Sequence, residues 1–505
     1  MRTSPPVVDT DLLARLRADL VTSRFTVAGV GEVLGPMASA ALDRQHPLPA
    51  ERVTAQSDDP CAALVRLFTL GLPVDARDVQ GALPTTGVAG LLTLGLVRQE
   101  GDAVVATCDL RPYGPADENW WVASDLAELA TGEPLTPDHV LGVGGASTTL
   151  ASWTPRGPVE RALDVGTGSG IQALHLSADA NDVVVTDLSE RALAYAIFNS
   201  ALNGLTWDVR QGSMLEPVEG ETFDLIVSNP PFVITPRDGS VPLFEYRDGG
   251  AAGDAVVADL ITGVGRLLRP GGVAQLLGNW EIARGTDWKD RVGGWVADSG
   301  LDAWVVQRTV QDPAQYAETW ARDGGHHAGT AEFRSMYSAW LDDFASRDVE
   351  AVGFGIITLH RPAEERETFV DLMDVRGPVG DAIGATVAAG LAARERLTTT
   401  SNDELLDTVW AAADDVTVEQ HLLPGSSSPQ AVTAVQGGGL RLRIPLDSYA
   451  AAYLGVADGS LSARQALVAI AALLEEDLDE VIGRVVPMLR YLVANGFLQE
   501  SSSTD

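Results

Sequence analysis

The sequence is poor in the residues that build covalent and metal-centred frameworks. Only two cysteines, Cys61 and Cys108, occur among 505 residues. One disulfide between them is conceivable, but we expect two free thiols in a reducing compartment. No group of cysteines and histidines has the spacing of metal ligands, and the adjacent pair His326–His327 is predicted to lie in a polar loop. We therefore expect no metal site.

Long apolar runs and a targeting segment are also absent from the sequence. No window reaches the roughly 18 uninterrupted apolar residues that a membrane span needs. The first ten residues contain no apolar segment of the kind found in secretion signals. The sequence therefore predicts a cytoplasmic chain without a membrane partner, and it leaves the oligomeric state open.

Positive charge is scarce as well. The chain has 35 lysines and arginines against 70 aspartates and glutamates, which gives a formal net charge of −35. Such a field repels phosphate backbones at long range and works against non-specific nucleic-acid binding. The charge does not exclude a local basic patch, and a general compositional bias toward aspartate and alanine explains it most simply.

The length and the apolar pattern predict several domains. At 505 residues the chain exceeds the size at which one hydrophobic core stops growing. Residues 160–280 alternate predicted strands and helices with regular spacing, which is typical of a doubly wound, mostly parallel α/β sheet. Residues 301–309 and 352–362 are predicted to be closing strands, separated by a helical insertion over about 311–347.

Both ends of the chain are predicted to be mostly helical. Toward the N-terminus, helices are followed by a small hairpin, and residues 446–501 give three helices, a stop at Gly496 and a strand. This order is typical of winged-helix-like units, although the acidic residues before the last long helix disfavour DNA binding by the C-terminal unit. We therefore expect three domains, over 1–110, 111–380 and 381–505, with the α/β sheet in the middle one.

Four unusual segments each follow a predicted strand of the central sheet. They are 164–170 (DVGTGSG), Asp187, 212–213 (GS) and 229–232 (NPPF). Ligands of doubly wound sheets bind at the carboxyl ends of the strands. We therefore expect the four segments to meet at one cleft.

The first of these segments is a glycine-rich loop. Gly166, Gly168 and Gly170 allow a tight strand-to-helix turn and a close approach of the backbone to a ligand. Asp187 ends the next strand about twenty residues later, where a carboxylate can accept both hydroxyls of a ribose. A dinucleotide site uses nearly the same turn and the same acid, so these residues alone leave the identity of the nucleotide open.

The stretch VSNPPF, residues 227–232, narrows the identity of the expected nucleotide ligand. Two consecutive prolines cannot continue a strand, so they form a fixed, extended turn that presents Asn229 and Phe232 at the strand end. The series LDVGTGSG, VTD, GS and FDLIVSNPPF resembles class I S-adenosylmethionine-dependent methyltransferases. Within that class it resembles the group with an Asn-Pro-Pro-aromatic motif, which includes the release-factor glutamine N5-methyltransferases and the adenine-N6 and guanine-N2 nucleic-acid methyltransferases. The resemblance extends over about residues 140–285.

The resemblance implies a Rossmann-like class I fold and S-adenosyl-L-methionine as the cofactor. Asp164 would lie near the amino group of the cofactor, and Asp187 would hold its ribose. Ser213 stands where relatives often carry an aspartate that faces the adenine. Leu188 and Met214 would sandwich the adenine ring, with ordinary core packing as the alternative. The complete set of implied cofactor residues is Asp164, Gly166, Thr167, Gly168, Gly170, Asp187, Leu188, Ser213, Met214 and Asn229.

The resemblance also implies the catalytic residues. The side-chain oxygen of Asn229 and the backbone carbonyl of Pro230 would accept the two N–H bonds of a planar amide or amine. Phe232 would stack on that planar group. Methyl transfer would then be an in-line displacement that depends mainly on positioning.

Neighbouring segments are predicted to complete the site. Residues 139–156 occupy the position of a covering segment in related enzymes, and residues 236–248 should form the rim beside the NPPF turn. Trp120 and Trp121 would point to opposite faces of a strand, one into the core and one toward the target.

The favoured function is an S-adenosylmethionine-dependent N-methyltransferase that acts on an amide or amine of a protein or peptide, with the terminal domains as docking units. A nucleic-acid amino-group methyltransferase is the alternative. Phe232 in place of a tyrosine and the winged-helix-like ends support that alternative, and the negative charge opposes it. A small-molecule natural-product methyltransferase and a non-catalytic scaffold also stay open.

Overall fold

The computed structural model describes residues 4–501 except for eight internal positions. The excepted positions are 116, 117, 133, 134, 238, 240, 327 and 382. His327, one of the predicted polar-loop pair, therefore lies outside the described residues. Cys61 and Cys108 are free and buried, as expected from the sequence.

The N-terminal part is helical and ends in a small hairpin. Its elements are α1 (Thr10–Thr22), α2 (Val27–Asp43), α3 (Leu48–Thr54), α4 (Pro60–Leu64), β1 (Val74–Asp75), α5 (Ala76–Ala82), α6 (Gly87–Leu94), β2 (Val97–Glu100) and β3 (Ala103–Ala106). A π-helical turn, Val65–Thr69, prolongs α4. The three strands form a sheet in the order β1-β3-β2. This element order agrees with a winged-helix-like unit, and that name stays a prediction.

The helices α1 and α2 meet at a bend of 44°. The side chain of Thr26 accepts a hydrogen bond from the Gly29 N–H at 3.1 Å, which caps the start of α2 and ends the path of α1. Within the described part of the chain, no single helix is long and apolar enough to cross a membrane, while this bent pair meets those criteria of length and composition only when its helices are taken together.

The centre of the molecule is an eight-stranded sheet in the order β13-β11-β12-β10-β9-β6-β7-β8. Along the chain, the sheet is preceded by a hairpin of two strands, β4 (Asp109–Tyr113) and β5 (Trp120–Ser124), and by two helices, α7 (Glu128–Thr131) and α8 (Gly145–Trp153). Its elements are β6 (Val159–Val165), α9 (Ile171–Leu176), β7 (Ala180–Asp187), α10 (Glu190–Leu202), β8 (Asp208–Gln211), β9 (Phe223–Ser228), α11 (Ala255–Val264), β10 (Leu268–Ala283), α12 (Trp288–Ser299), β11 (Asp302–Gln311), α13 (Pro313–Asp323), α14 (Ala331–Ser346), β12 (Val349–His360) and β13 (Val370–Asp374). Strands β6 to β10 run parallel, and β12 runs antiparallel to β10 and β11. The predicted Rossmann-like α/β sheet is confirmed.

The sheet is covered on both faces, as parallel strands require. Ala162 and Leu163 are consecutive in β6, are both fully buried, and belong to two different apolar clusters. The first cluster includes residues of α8 and α9, and the second includes residues of α11 and α12. Successive side chains of a strand point to opposite faces, so each strand contributes to both layers.

A helical hairpin, α13 and α14, is inserted between β11 and β12, where the sequence predicts an insertion. Asp312 begins α13 with a capping box, in which its side chain accepts from the Gln315 N–H at 2.8 Å. The hairpin has its own apolar cluster, which includes Tyr316, Trp340 and two residues that follow the NPPF turn, Val233 and Ile234. The insertion therefore packs against the segment that follows the NPPF turn.

The C-terminal part also combines helices with a small three-stranded sheet, but one strand of that sheet comes much earlier in the chain than the other two. Its elements are α15 (Ile383–Thr399), α16 (Asn402–Asp407), β14 (Val409–Ala412), β15 (Val416–His421), β16 (Ala431–Gln436), β17 (Arg443–Leu446), α17 (Ser448–Leu454), β18 (Asp458–Ser462), α18 (Ala463–Leu474), α19 (Leu478–Ala494) and β19 (Leu498–Glu500). The small sheet has the order β18-β14-β19, with β14 in the middle. In the N-terminal unit the middle strand, β3, comes last in the chain. In the C-terminal unit the middle strand, β14, comes first, so the strands of the two small sheets follow different orders along the chain.

Candidate active site

The predicted segments meet at one edge of the central sheet. Val165, the last residue of β6, pairs with Thr186 in β7 and with Ser228 in β9. The glycine loop, Asp187 and Asn229 each follow one of those three residues directly. The Ser228 hydroxyl donates to the Val165 carbonyl at 2.8 Å, which fastens the two strands at this edge. Asn229 therefore follows a strand end that lies beside the start of the glycine loop.

The glycine loop forms an open cradle. Gly166 and Gly168 have φ angles of +71° and +58°, in the left-handed region that favours glycine. A Cβ atom at either position would have no heavy atom within 4 Å, so both residues border open space. Gly170 differs, because a Cβ there would lie 2.6 Å from the Trp207 ring. Glycine is required at Gly170 for packing beneath the loop.

Asp164 lies under this loop and is 1% exposed. The Thr167 hydroxyl donates to Asp164 Oδ2 at 2.6 Å, whereas Oδ1 has no hydrogen-bond partner among the described residues. Burial raises the pKa of Asp164 to about 7, against the lowering effect of that hydroxyl. A buried carboxylate oxygen without a partner is suited to an incoming cationic group, which would stabilise the ionised form.

Asp187 is held by two backbone groups. Its Oδ2 accepts from the Gly168 N–H and its Oδ1 from the Ser189 N–H, both at 2.9 Å. Burial raises the pKa of Asp187 above its ordinary value. Each oxygen keeps lone-pair capacity for a further donor such as a ribose hydroxyl. The next residue, Leu188, is 68% exposed, which leaves an apolar side chain free beside the cleft.

The third segment lies against the end of β7. The Gly212 N–H donates to the Asp187 carbonyl at 3.0 Å, and Ser213 is half-buried. Met214 has a φ of +49°, and its carbonyl accepts from the Thr186 hydroxyl at 3.4 Å. The Met214 side chain packs on the apolar cluster of the α11 and α12 face. Core packing accounts for Met214 here, and the adenine contacts of Ser213 and Met214 stay predictions.

The NPPF turn presents unused polar groups. Asn229 is half-buried, and neither its carboxamide nor the Pro230 carbonyl forms a hydrogen bond among the described residues. The Phe232 ring contacts the Phe354 ring edge to face, with 6.5 Å between centroids. Phe232 pairs with Asp248 in an isolated antiparallel bridge. The turn therefore offers two acceptors and one ring at a fixed place.

The predicted rim segment runs back across this turn, and its arginines are paired. Arg237 forms an ion pair with Asp248 at 2.7 Å. Arg247, whose side chain is 3% exposed, forms an ion pair with Asp323 at 2.7 Å. The Tyr246 hydroxyl donates to the same Asp323 oxygen at 2.7 Å. Each arginine of the rim is therefore neutralised by a carboxylate.

The helical hairpin holds the chain where it leaves the turn. The Ile234 N–H donates to the Tyr316 hydroxyl, and the Trp340 indole N–H donates to the Ile234 carbonyl, both at 2.7 Å. The Asn279 side-chain amide donates to the same Tyr316 hydroxyl at 3.2 Å. Tyr316, Trp340 and Asn279 are all fully buried. One residue from each helix thus fixes the path of the backbone beyond Phe232.

The predicted covering segment lies over the glycine loop. The Ser169 hydroxyl donates to the Leu141 carbonyl at 2.7 Å, and the Gln172 side chain donates to the Ser147 carbonyl at 2.8 Å. The rim joins it through the Glu245 N–H. That group donates to the Pro137 carbonyl at 2.8 Å.

Trp120 and Trp121 lie in β5 and point to opposite faces, as expected. Trp121 is 2% exposed and its indole N–H donates to the Phe25 carbonyl at 2.7 Å, so it is the core residue of the pair. Trp120 packs edge to face on His175, with 5.0 Å between ring centroids. This aromatic contact occupies Trp120 within the protein.

Several residues that support the site were not identified from the sequence. Asp125 is buried and accepts from the Val140 N–H at 2.9 Å and from the Tyr195 hydroxyl at 2.8 Å. Asn199 is fully buried, and its amide donates to the Ser169 carbonyl at 2.8 Å. A single aspartate or asparagine among apolar residues has no pattern that sequence reasoning could use.

The cleft fits S-adenosylmethionine by its own chemistry. The Gly166–Gly168 cradle leaves room where side chains would fill it, and Asp164 Oδ1 lacks a partner that an ammonium group would supply. Asp187 has acceptor capacity for hydroxyls, and Leu188 offers an exposed apolar contact for a ring. These groups match the amino, ribose and adenine parts of that molecule.

Comparisons with known proteins agree with this description. Residues 142–285 match the family described as Methyltransferase small domain, and residues 22–107 match a domain of unknown function, DUF7059. The chain is 36% identical over 163 residues to the release factor glutamine methyltransferase of Deinococcus radiodurans, a match that covers 30% of this chain and 57% of that protein. It is 40% identical over 125 residues to the ribosomal protein uL3 glutamine methyltransferase of Bordetella pertussis, covering 24% of this chain and 41% of that protein.

The chain spans 57% of the length of the first of these relatives and less of the second. Among solved structures, a methyltransferase from Pyrococcus furiosus is 16% identical, with a TM-score of 0.27, covering 46% of this chain and 93% of that one. A T. thermophilus 16S rRNA N2 methyltransferase, solved with AdoMet and guanosine, is 18% identical, with a TM-score of 0.28, covering 62% and 71%.

The sheet order, the motif series and the matched domain define the class of the central part of the chain. It is a class I S-adenosylmethionine-dependent methyltransferase domain, and S-adenosyl-L-methionine is its cofactor. Within that class it resembles the release factor glutamine methyltransferases.

Proposed function

We propose that this chain is an S-adenosylmethionine-dependent N-methyltransferase that methylates a planar amide nitrogen of a protein or peptide. The observation that carries the proposal is the carboxamide of Asn229, which lies beside the Gly166–Gly168 cradle and, like the adjacent Pro230 carbonyl, has no hydrogen-bond partner among the described residues. The similarity to proteins named as glutamine methyltransferases of release factors and of a ribosomal protein supports an amide nitrogen and a protein substrate.

The chemistry follows from the acceptors of the turn. When bound, the cofactor supplies a methyl group on a sulfonium sulfur. An amide nitrogen is a weak nucleophile because its lone pair is delocalised. Asn229 and Pro230 accept its two N–H bonds, and Phe232 packs on its plane, so that the nitrogen faces the methyl carbon. The methyl group would pass to the nitrogen, the sulfur would keep the electron pair of the broken S–C bond as a neutral thioether, and one N–H proton would pass to solvent. Alignment of this kind is worth roughly 7–11 kcal/mol.

Charge supports a protein over a nucleic-acid substrate. The net charge of −35 repels phosphates, and the arginines of the rim, Arg237 and Arg247, are already paired with carboxylates. The second candidate, an amino-group methyltransferase of RNA or DNA, rests on Phe232 after the two prolines. We place the activity in the cytoplasm. The units 1–110 and 381–505 flank the 111–380 catalytic domain and dock the substrate.

The test is transfer of labelled methyl groups in a cell lysate. Wild-type protein and Asn229→Ala are each incubated with methyl-labelled S-adenosylmethionine and lysate, and the labelled pool is digested with protease or nuclease. Label that the wild type transfers to protease-sensitive material, and that the variant fails to transfer, supports the proposal. Label released by nuclease alone supports the second candidate and contradicts the first.

A further inference from the structure

Two hydrogen-bond donors beside the site are buried and unpaired. Arg247 Nη2 and Trp320 Nε1 have neither solvent contact nor a hydrogen-bond partner among the described residues. An unpaired buried donor costs about 1–3 kcal/mol, so native proteins retain few of them. Two such donors in adjacent residues of one cluster call for a functional explanation.

The two donors belong to a single cluster of side chains, which includes residues of α13. Arg247 Nη1 donates to the Trp320 carbonyl at 2.9 Å, and its guanidinium carbon lies 5.8 Å from the centre of the Trp320 ring. The Trp320 and Tyr316 ring centroids are 6.0 Å apart. Tyr316 also binds Asn279, whose Oδ1 is a third buried atom without a partner in the described part of the chain.

This cluster adjoins the catalytic turn. The Tyr316 ring stacks on Phe354 with 5.8 Å between centroids, and Phe354 contacts Phe232. The backbone carbonyl of Arg247 accepts from the Val233 N–H at 2.8 Å, one residue beyond Phe232. These contacts join the cluster to the turn that carries Asn229.

The charge of the cluster selects the kind of ligand. Arg247 already forms an ion pair with Asp323 at 2.7 Å, and Asp323 also accepts from Tyr246. The cluster therefore offers two N–H donors without a net positive charge. A neutral carbonyl oxygen satisfies such donors, whereas a phosphate or a carboxylate would bring an uncompensated negative charge into a buried place.

We propose that Arg247 Nη2 and Trp320 Nε1 bind a main-chain carbonyl oxygen of the peptide substrate, next to the residue that is methylated. This inference rests on the proposed function and adds a subsite to it. Both donors are buried in the free protein, so the peptide reaches them only after the segment that carries Arg247 or the helix that carries Trp320 moves. The subsite would recognise a carbonyl oxygen of the polypeptide backbone. A nucleic acid has no such backbone, so the subsite would favour a peptide substrate.

The test compares two tryptophan-to-phenylalanine variants. Trp320→Phe keeps an aromatic ring, although a smaller one, and removes a donor that has no partner among the described residues of the free protein. Trp340→Phe removes a donor that holds the Ile234 carbonyl at 2.7 Å. The probe is an equimolar library of acetylated and amidated hexapeptides with one central glutamine, assayed with labelled cofactor, and each variant is also measured for Tm and for S-adenosylmethionine affinity.

The hydrogen bonds of the two indole groups in the free protein predict that the two variants differ in Tm and in KM. Trp320→Phe should lower Tm less than Trp340→Phe does, bind the cofactor like the wild type, and raise KM for the peptides about 3- to 10-fold, as expected for one hydrogen bond. Trp340→Phe should lower Tm, because it leaves a buried carbonyl unpaired. A second variant, Arg247→Lys, keeps the charge opposite Asp323 and should raise KM in the same way.

The outcomes separate this inference from the function on which it rests. Wild-type protein that binds no S-adenosylmethionine overturns the proposed function itself. Wild-type protein that methylates the peptides while Trp320→Phe has an unchanged KM overturns only the carbonyl subsite. A Tm increase with inorganic phosphate that is lost in Trp320→Phe would assign an anion to the pocket and would overturn the neutral ligand.

Discussion

Asn229 is the residue on which the proposed chemistry depends most. Replacement by alanine removes the acceptor that orients the target nitrogen, so we expect kcat to fall about 100-fold or more. Cofactor affinity should fall far less, because the glycine loop and Asp187 are unchanged. Initial rates with labelled cofactor and a calorimetric titration measure the two effects. Asn181→Ala, an exposed asparagine at the opposite end of β7, is the matched control and should behave like the wild type.

Asp164 predicts a pH dependence of stability. Burial raises its folded-state pKa from 3.8 to about 7, so the folded chain holds a proton that the unfolded chain has released. Stability therefore decreases as pH rises from about 4 to about 7, and the loss is complete above that range. Asp164→Asn cannot ionise, so its Tm relative to wild type should be higher at about pH 8 than at about pH 5. The same variant should bind S-adenosylmethionine more weakly.

Scanning calorimetry across that pH range checks whether the Tm difference between Asp164→Asn and the wild type grows or shrinks as pH rises. A Tm advantage of Asp164→Asn that grew toward acid would mean that the folded chain lowers the pKa of this carboxyl, and would contradict the raised pKa that its burial causes.

At this scale, local motifs were predictable and long-range partners were not. The glycine loop, Asp187 and Asn229 are recognisable because each stands directly after a strand in a fixed pattern. Tyr316 holds Ile234 across a separation of 82 residues, and no local pattern marks it. Its role follows from the packing of the inserted hairpin.

Among the elements, the α13–α14 hairpin is expected to couple stability to activity. Tyr316→Phe removes one hydroxyl and leaves the Ile234 N–H without its acceptor, which should lower the free energy of unfolding by about 1–3 kcal/mol. We expect kcat to fall as well, since the chain beyond Phe232 loses a fixed point. Denaturant unfolding and initial rates measure both effects.

The control for that variant lies in the same hairpin. Tyr337 stacks on Phe333 at 5.9 Å, and its hydroxyl forms no hydrogen bond within the described residues. Tyr337→Phe should therefore be nearly neutral. Equal losses in the two variants would show that the hairpin is sensitive to any change and would remove the specific role of Tyr316.

The parallel character of the central sheet followed from the sequence more readily than the arrangement at the C-terminus. Regular alternation of apolar strands and helices predicts a parallel sheet and its ligand edge. The strand β14 pairs with β18 and β19, which come later in the chain, after the β15–β17 sheet has intervened. Pairing of that kind depends on tertiary packing, which a short apolar strand does not encode.

For the whole molecule, the net charge of −35 predicts a salt dependence of substrate capture. A strongly acidic protein attracts basic partners at long range, and salt screens that attraction over a Debye length of about 10 Å at 0.1 M. The labelling rate of basic proteins below saturation should therefore fall several-fold between about 0.05 M and about 0.3 M salt. Cofactor affinity should change little over the same range. A labelling rate that rose with salt would contradict long-range attraction between the acidic chain and basic proteins.

The central claim is that the glycine loop, Asp187 and the NPPF turn form one S-adenosylmethionine site. Calorimetric titration of the full chain with S-adenosylmethionine tests it most directly, with Asp187→Ala as the comparison. The account predicts one bound cofactor per wild-type chain and a loss of most of the affinity in Asp187→Ala, which lacks the ribose acceptor. Absence of binding to the wild type, or binding that Asp187→Ala leaves unchanged, would contradict it.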